Sequence, residues 1–413
     1  MNWIFYIILA LIVFDFALGR VLSLLNTSYN SRPVPPEISD IYTEEKREKQ
    51  LRYSNANLKL SWIINIFDLL VSLVMLFAGY RLLDGWIHSW TVGIGSELWR
   101  NVLMAVLFFC ILMVAGTVVH WPFDLYSVFG VQKRFGFNRQ TPRIFWTDQA
   151  KSILFSVLLN AMLLTIMVLV YSAVPHWFWL ITWAVMTAIS LFMSEFYSKL
   201  IVPLFNKQTP LPEGELRNAI EQFARETKFD LQEIYVLDSS KRSTHANAYF
   251  TGWGKHRRIV LYDTLIEQLT TDEVVAVLAH EAGHQKYHHI IKQITLSTLT
   301  NLLIYWLMGL TLQYNLCAGA IGCPASFHVN LYLFYILYEP LNVLLSLLSN
   351  ACSRRYEYQA DAFVREHDKA GALVSSLKKL SAHSLSNPTP HPAFVFFHYS
   401  HPTLVQRIRA LQQ

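Results

Sequence analysis

Apolar residues gather along this chain in seven stretches, each long enough to cross the roughly 30 Å of hydrocarbon in a bilayer. They run approximately over Trp3–Leu25, Ser61–Leu83, Leu98–Trp121, Ser152–Ala173, Trp177–Lys199, Gln293–Tyr314 and His328–Cys352. Between residues 200 and 292 the pattern changes to that of a water-soluble unit. Pro210, Pro212 and Gly214 mark a turn, and Glu215 to Lys228 then places Leu216, Ile220 and Phe223 on one face of an amphipathic helix. Glu233 to Leu237 reads as a strand. Asn247 to Tyr262 reads as a hairpin broken at Gly252-Trp253-Gly254, with Ile259-Val260-Leu261 as its return strand. The expected division is 1–200 for five spans and their loops, 201–292 for a polar insertion, 293–352 for two more spans and 353–413 for a polar tail.

Composition agrees with the periodicity. Of 413 residues, 53% are hydrophobic and 15% charged, the balance of a polytopic membrane protein. The first stretch does not read as a cleavable signal peptide: it lacks a basic leader, carries Asp15 and has no small-residue cleavage site. The net charge of +5 is informative through its placement. The loop after the first span holds Arg32, Lys46, Arg47, Lys49, Arg52 and Lys59, and the loop after the third holds Lys133, Arg134, Arg139 and Arg143. The segment after the fifth is also basic, whereas the loops after spans two, four and six are nearly free of Lys and Arg. By the positive-inside rule the N-terminus lies outside, and the insertion and C-terminus are cytosolic. Loops beside a membrane account for this charge without nucleic acid, and there is no glycine-rich phosphate loop. Four cysteines make no disulfide framework; Cys317 and Cys323, in the outer sixth loop, read equally as a disulfide or as free thiols. Asp15, Asp68, His120, Glu195, Asn301, Glu339 and Asn350 fall within spans, where they either hydrogen-bond between helices or face enclosed water.

The sharpest chemistry is His280-Glu281-Ala282-Gly283-His284. Two imidazoles four residues apart on a helix can reach one Zn²⁺, and the intervening glutamate can act as general base. Such matches also occur on metal-free surface helices, so context counts. Thr270 and Glu273 form a capping-box pattern that starts the helix, and Val274, Val275, Val277 and Leu278 bury one side. A catalytic zinc needs a third protein ligand. Glu357 and Asp361, four apart in Arg354-Arg355-Tyr356-Glu357-Tyr358-Gln359-Ala360-Asp361, share a helix face. Glu357 would bind the metal and Asp361 would accept from the non-ligating nitrogen of a zinc histidine. The alternative is a solvated acidic face paired with Arg354 and Arg355, and the motif's need for a ligand outweighs it. His288 and His289 compete as ligands, although the sixth span follows at once and suits a boundary role for His288. In the tail, His391, His398, His401 and Arg407 offer oxyanion stabilisers, which spacing alone does not promote.

Further segments extend the match. Gly136-Phe137-Asn138-Arg139-Gln140-Thr141, Leu204-Phe205-Asn206-Lys207, Thr209-Pro210-Leu211-Pro212-Glu213-Gly214, Ser240-Lys241-Arg242-Ser243, Asn247-Ala248-Tyr249-Phe250, the histidine motif, Tyr356 to Phe363 and His398 to Pro402 resemble the CAAX prenyl protease 1 family. These are integral membrane zinc metallopeptidases that include the a-factor-converting enzyme. The resemblance implies a mainly α fold: a barrel of seven transmembrane helices around a hydrated chamber, with a cytosolic zincin-like metalloprotease domain containing a small β-sheet. It implies one Zn²⁺ per chain on His280, His284 and Glu357, Glu281 as base, and Asp361 behind a ligand. Asn247 would hold substrate backbone, and His401 and Arg407 would lie beside the scissile carbonyl. The substrate would be a peptide or a prenylated protein, cut to release a C-terminal tripeptide in the bilayer; the sequence leaves the oligomeric state open, with a monomer the simplest expectation.

The chain ends at Gln413, soon after Arg409, without an added tail or retrieval signal. That favours a bacterial cytoplasmic membrane, where prenylated substrates are in doubt; a eukaryotic member would sit in the endoplasmic reticulum membrane. Competing functions are a quality-control membrane protease, expected to have fewer spans, and a channel or transporter whose structural zinc would be closed by four protein ligands.

Overall fold

Seven long helices carry the apolar stretches: Trp3–Tyr29, Glu44–Thr91, Glu97–Phe135, Pro142–Ala173, Pro175–Phe205, His289–Gln313 and Phe327–Glu366. The protein is described by a computed structural model over residues 2–227, 231, 233–251 and 258–413. Most helices outrun their apolar stretch, because hydropathy marks where lipid ends and not where the backbone ladder ends. The second helix starts at a Thr43 cap, whose side chain accepts the Lys46 N–H, with Glu44 and Glu45 in its first turn. The fourth starts at a Thr141 cap with Pro142 in its first turn. The seventh continues well beyond its apolar part to Glu366.

The spanning helices pack loosely. In their most apolar windows only 11% to 22% of residues are buried, so side chains such as Leu70, Val74, Leu154 and Leu344 point out of the protein. Several polar residues in the spans do find partners. Asp68 meets His120 at 2.9 Å, and Asn350 donates to the Phe397 carbonyl at 3.0 Å.

The two ends of the bundle differ. At one end Ile38 and Tyr42, from the loop after the first span, pack with Ile408 of the tail. The Tyr42 hydroxyl donates to the Ser386 carbonyl at 2.7 Å, and Asp148 pairs with Arg242 at 2.7 Å. The loops after spans one and three therefore lie on the same side as the insertion and the tail. At the other end the loop after span six packs Cys317 and Cys323 against Ile4, Phe5, Leu76 and Ile87. Both cysteines are free thiols, and burial pushes each pKa up to about 12.

The insertion folds around four strands: β1 (Gln208–Pro210), β2 (Glu233–Leu237), β3 (Ala248–Thr251) and β4 (Arg258–Tyr262), in the order β1-β2-β4-β3. β2 and β4 are parallel and the outer pairs antiparallel. Central β4 is covered on both faces, which explains its unbroken Ile259-Val260-Leu261 run. The turn expected at Gly252-Trp253-Gly254 lies outside the described residues, as does Lys228, the expected end of a helix that runs over Glu215–Glu226. Ile220 and Phe223 on that helix join Ile259, Leu261, Val274, Phe363, Val364 and Leu411 in one core. Insertion and tail, separated in sequence by two spans, thus form a single packed unit.

The helix Thr271–Lys286 carries the histidine motif. It begins with a reciprocal capping box between Thr270 and Glu273, and it buries Val274, Val275, Leu278 and Ala279. Gly283 lets it lie directly on the seventh helix: a Cβ there would come 2.9 Å from the Ala360 Cα and 3.1 Å from its carbonyl oxygen. That backbone contact sets residues 357–361 against residues 280–284.

Candidate active site

His280, His284 and Glu357 converge. The two Nε2 atoms are 3.2 Å apart; His280 Nε2 lies 3.3 Å from Glu357 Oε2, and His284 Nε2 lies 3.2 Å from Oε1. His280 and Glu357 are buried, and His284 is part-exposed. Each histidine's other nitrogen is engaged. His280 Nδ1 is 2.9 Å from Asp361 Oδ1, and since a carboxylate only accepts, that nitrogen carries the proton. His284 Nδ1 is 3.0 Å from His289 Nδ1. Lone pairs and a carboxylate thus face one another across the site, and buried Glu357 Oε2 has no hydrogen-bond partner among the described residues. A cation reconciles this arrangement. Ligand bonds of about 2.0–2.1 Å in a tetrahedron give edges of about 3.3–3.4 Å, close to the spacings found here.

Arg407 braces the cluster from behind. It donates to both oxygens of Asp361, from Nε at 2.9 Å and from Nη2 at 2.6 Å, and its Nη1 lies 3.6 Å from Glu357 Oε2. Burial alone would lower its pKa, but the Asp361 contacts outweigh that and raise it. His280 follows the same logic: burial disfavours its charge, while Asp361 and Glu357 raise its pKa on balance. Burial raises the pKa of the Glu281 carboxyl, an effect that the neighbouring histidines oppose.

His401 stands on the open side. Its side chain is 60% exposed, with Nε2 3.3 Å from Glu357 Oε1 and Nδ1 2.8 Å from the Ser400 hydroxyl. Although the side chain stays open to solvent, the groups packed near its ring desolvate it and lower its pKa, with the Glu357 charge opposing. A cavity of 530 Å³ beside it is lined by His245, Ala246, Tyr399, His401 and Arg407. Asn247 sits just before β3, where its Oδ1 accepts the Ala248 N–H at 2.9 Å and its carbonyl accepts the Tyr262 N–H at 3.0 Å.

A family model described as the CAAX prenyl protease N-terminal region, with five membrane helices, matches residues 23–207, and peptidase family M48 matches residues 210–413. A CAAX prenyl protease 1 homolog of Oryza sativa subsp. japonica is 35% identical, covering 92% of this chain and 90% of its own length. The chain belongs to the CAAX prenyl protease 1 family. The homolog of Homo sapiens is 30% identical over 92% of this chain and 88% of its own. The crystal structure of S. mikatae Ste24p superposes with a TM-score of 0.90 at 31% identity, covering 100% of this chain and 99% of that one. As a CAAX prenyl protease 1 family member, the protein is a multi-pass membrane metalloprotease acting on peptide or protein substrates.

In this family member, His280, His284, Glu357, Asp361, Arg407 and His401 come together, with Glu281 on the turn between the histidines. Asn247 lies at the sheet edge, just before β3 and next to Ala246, which shares a cavity with His401 and Arg407. His288, weighed above as a ligand, is exposed and left-handed at φ 55°, in the turn between two helices. His289 is 2% exposed, and its Nε2 lies 2.8 Å from Gln359 Oε1. Neither Gln359 nor the contact from His289 to His284 was among the expected site features.

Proposed function

We propose that His280, His284 and Glu357 hold one Zn²⁺ and that the protein is an endopeptidase of the CAAX prenyl protease type. The observation that carries this reading is the three-donor cluster with an orphaned carboxylate oxygen, flanked by Glu281. A zinc ion held there would supply Lewis acidity, lowering the pKa of a bound water towards about 7 and polarising a peptide carbonyl. Glu281, its proton affinity already raised by burial, takes a proton from the attacking water and passes it to the leaving amine. His401 reaches the site from the open side. Even as a neutral imidazole it carries one N–H with which to stabilise the oxyanion. Arg407 adds positive charge from behind while fixing Asp361. The outer edge of β3, beyond Asn247, receives the extended substrate by backbone pairing.

The insertion and tail face the cytosol and the N-terminus lies opposite, as the basic loops direct. The loosely packed spans, with their part-exposed Asp68–His120 pair, surround water as well as facing lipid. The relatives' names point to prenylated CAAX proteins as substrates, and the family resemblance implies release of the C-terminal tripeptide as the reaction. The test is mass spectrometry of peptides released from one substrate, farnesylated or unmodified, with and without a chelator. Chelator-sensitive release of a C-terminal tripeptide from the farnesylated form is expected. Equal cleavage of both forms would contradict prenyl specificity, and cleavage that ignores the chelator would contradict the metal.

A further inference from the structure

We propose that His289 and Gln359 are positioning residues that fix the tautomer and ring plane of His284, an inference that rests on His284 being a metal ligand. To ligate through Nε2, the nitrogen facing Glu357 at 3.2 Å, neutral His284 must carry its proton on Nδ1. That nitrogen lies 3.0 Å from His289 Nδ1, so His289 must accept there. Its own proton then sits on Nε2 and points at Gln359 Oε1, 2.8 Å away, which accepts it. The carbonyl of Gln359 thus sets His289, and His289 sets His284. Reversing the hydrogen bond between the imidazoles would place a proton on His284 Nε2 and block coordination.

The relay is built rigidly. His289 is 2% exposed and stacks on Tyr356, with ring centroids 4.3 Å apart and planes 13° from parallel. The left-handed turn at His288 folds His289 back against the ring of His284. On an uninterrupted helix a residue five positions on would lie about 140° round the axis and could not reach it. The two zinc histidines are therefore held by different chemistry: His280 by the Asp361 carboxylate, His284 by a neutral imidazole chain. Outer partners of this kind are worth about 10- to 100-fold in metal affinity or activity.

The experiment measures zinc affinity of the purified full-length protein by chelator competition, together with kcat and KM. His289→Phe keeps an aromatic ring for Tyr356 but offers no acceptor, whereas His289→Asn places a carbonyl oxygen near the former Nδ1. Expected for His289→Phe is zinc affinity weaker by about 10- to 100-fold, with kcat lowered and KM little changed. His289→Asn stays near the parent, and Gln359→Leu falls in the same direction but less. Parental affinity in His289→Phe, or equal loss in His289→Asn, overturns the relay, and parental affinity in Gln359→Leu removes Gln359 from it. His284→Ala separates the two readings. If it keeps parental affinity, the metal site itself is misassigned; if it loses zinc while His289→Phe does not, only the relay fails.

Discussion

At the scale of single residues, the site works by fixing which nitrogen of each histidine is left to face Glu357. Asp361 occupies His280 Nδ1, which leaves Nε2 free to face Glu357, and Arg407 neutralises the Asp361 charge that this burial requires. Among the described residues the Glu281 carboxylate makes no side-chain hydrogen bond or ion pair, which under the proposed mechanism leaves it for proton transfer. The Glu281→Gln variant should therefore retain bound metal and lose turnover by about 100-fold or more. Metal content and peptide release measured on the same sample check this, and parental release would remove Glu281 from the reaction. Much of this site was legible in sequence, because four-residue spacing on a helix puts His280 with His284, and Glu357 with Asp361, on shared faces. Arg407's buried grip on Asp361 was not, since nothing in the tail's spacing places it behind His280 and Glu357. His289 was weighed as a ligand, but its place behind His284 was hidden, because that approach depends on the backbone reversal at His288.

At the scale of elements, the site depends on how closely two helices approach. Gly283 permits backbone contact with Ala360, so Gly283→Ala should push the motif helix away from the seventh helix. A displacement of about 1 Å can cost 100-fold in rate, and a loss of that order is expected. Activity of the purified variant, set beside its metal content, reports this; unchanged activity would mean the helices do not need this contact. The start of the motif helix gives a pH-dependent prediction. Burial would raise the Glu273 pKa, but hydrogen bonds from Lys379, Ser375 and the Thr270 N–H outweigh it and lower it. A carboxyl whose pKa is depressed on folding contributes stability above its unfolded value of about 4.3, and that contribution fades as pH falls through the lower folded value. Glu273→Gln should lower the melting temperature near neutral pH, with the gap to the parent narrowing on acidification below about pH 4. Thermal unfolding across that range checks the sign. The capping box itself was readable from Thr270 and Glu273, whereas Lys379 and Ser375 arrive from the tail and leave no local trace.

At the scale of the whole molecule, the seven spans were legible because lipid demands long apolar helices that satisfy their own backbone groups. Their true ends were not: the second helix runs from Glu44 and the seventh to Glu366, beyond what hydropathy marks. The union of the insertion and the tail in one core was likewise invisible locally, since Ile259 and Leu411 meet only after two spans have brought the chain back. The packing of Ile38 and Tyr42 on Ile408 ties the first loop to the catalytic side, which makes topology testable. A membrane-impermeant thiol reagent added to the non-cytosolic side should label Ser89→Cys above the parental background and spare Ser31→Cys; the reverse pattern would invert the orientation. The central claim is a divalent metal held by two imidazoles and one carboxylate. X-ray absorption at the zinc edge, recorded on the parent and on Glu357→Ala, tests it most directly. The account predicts nitrogen and oxygen neighbours at about 2.0–2.2 Å in the parent, with zinc lost or its first shell altered in the variant. Sulfur neighbours, or an identical spectrum in Glu357→Ala, would contradict it.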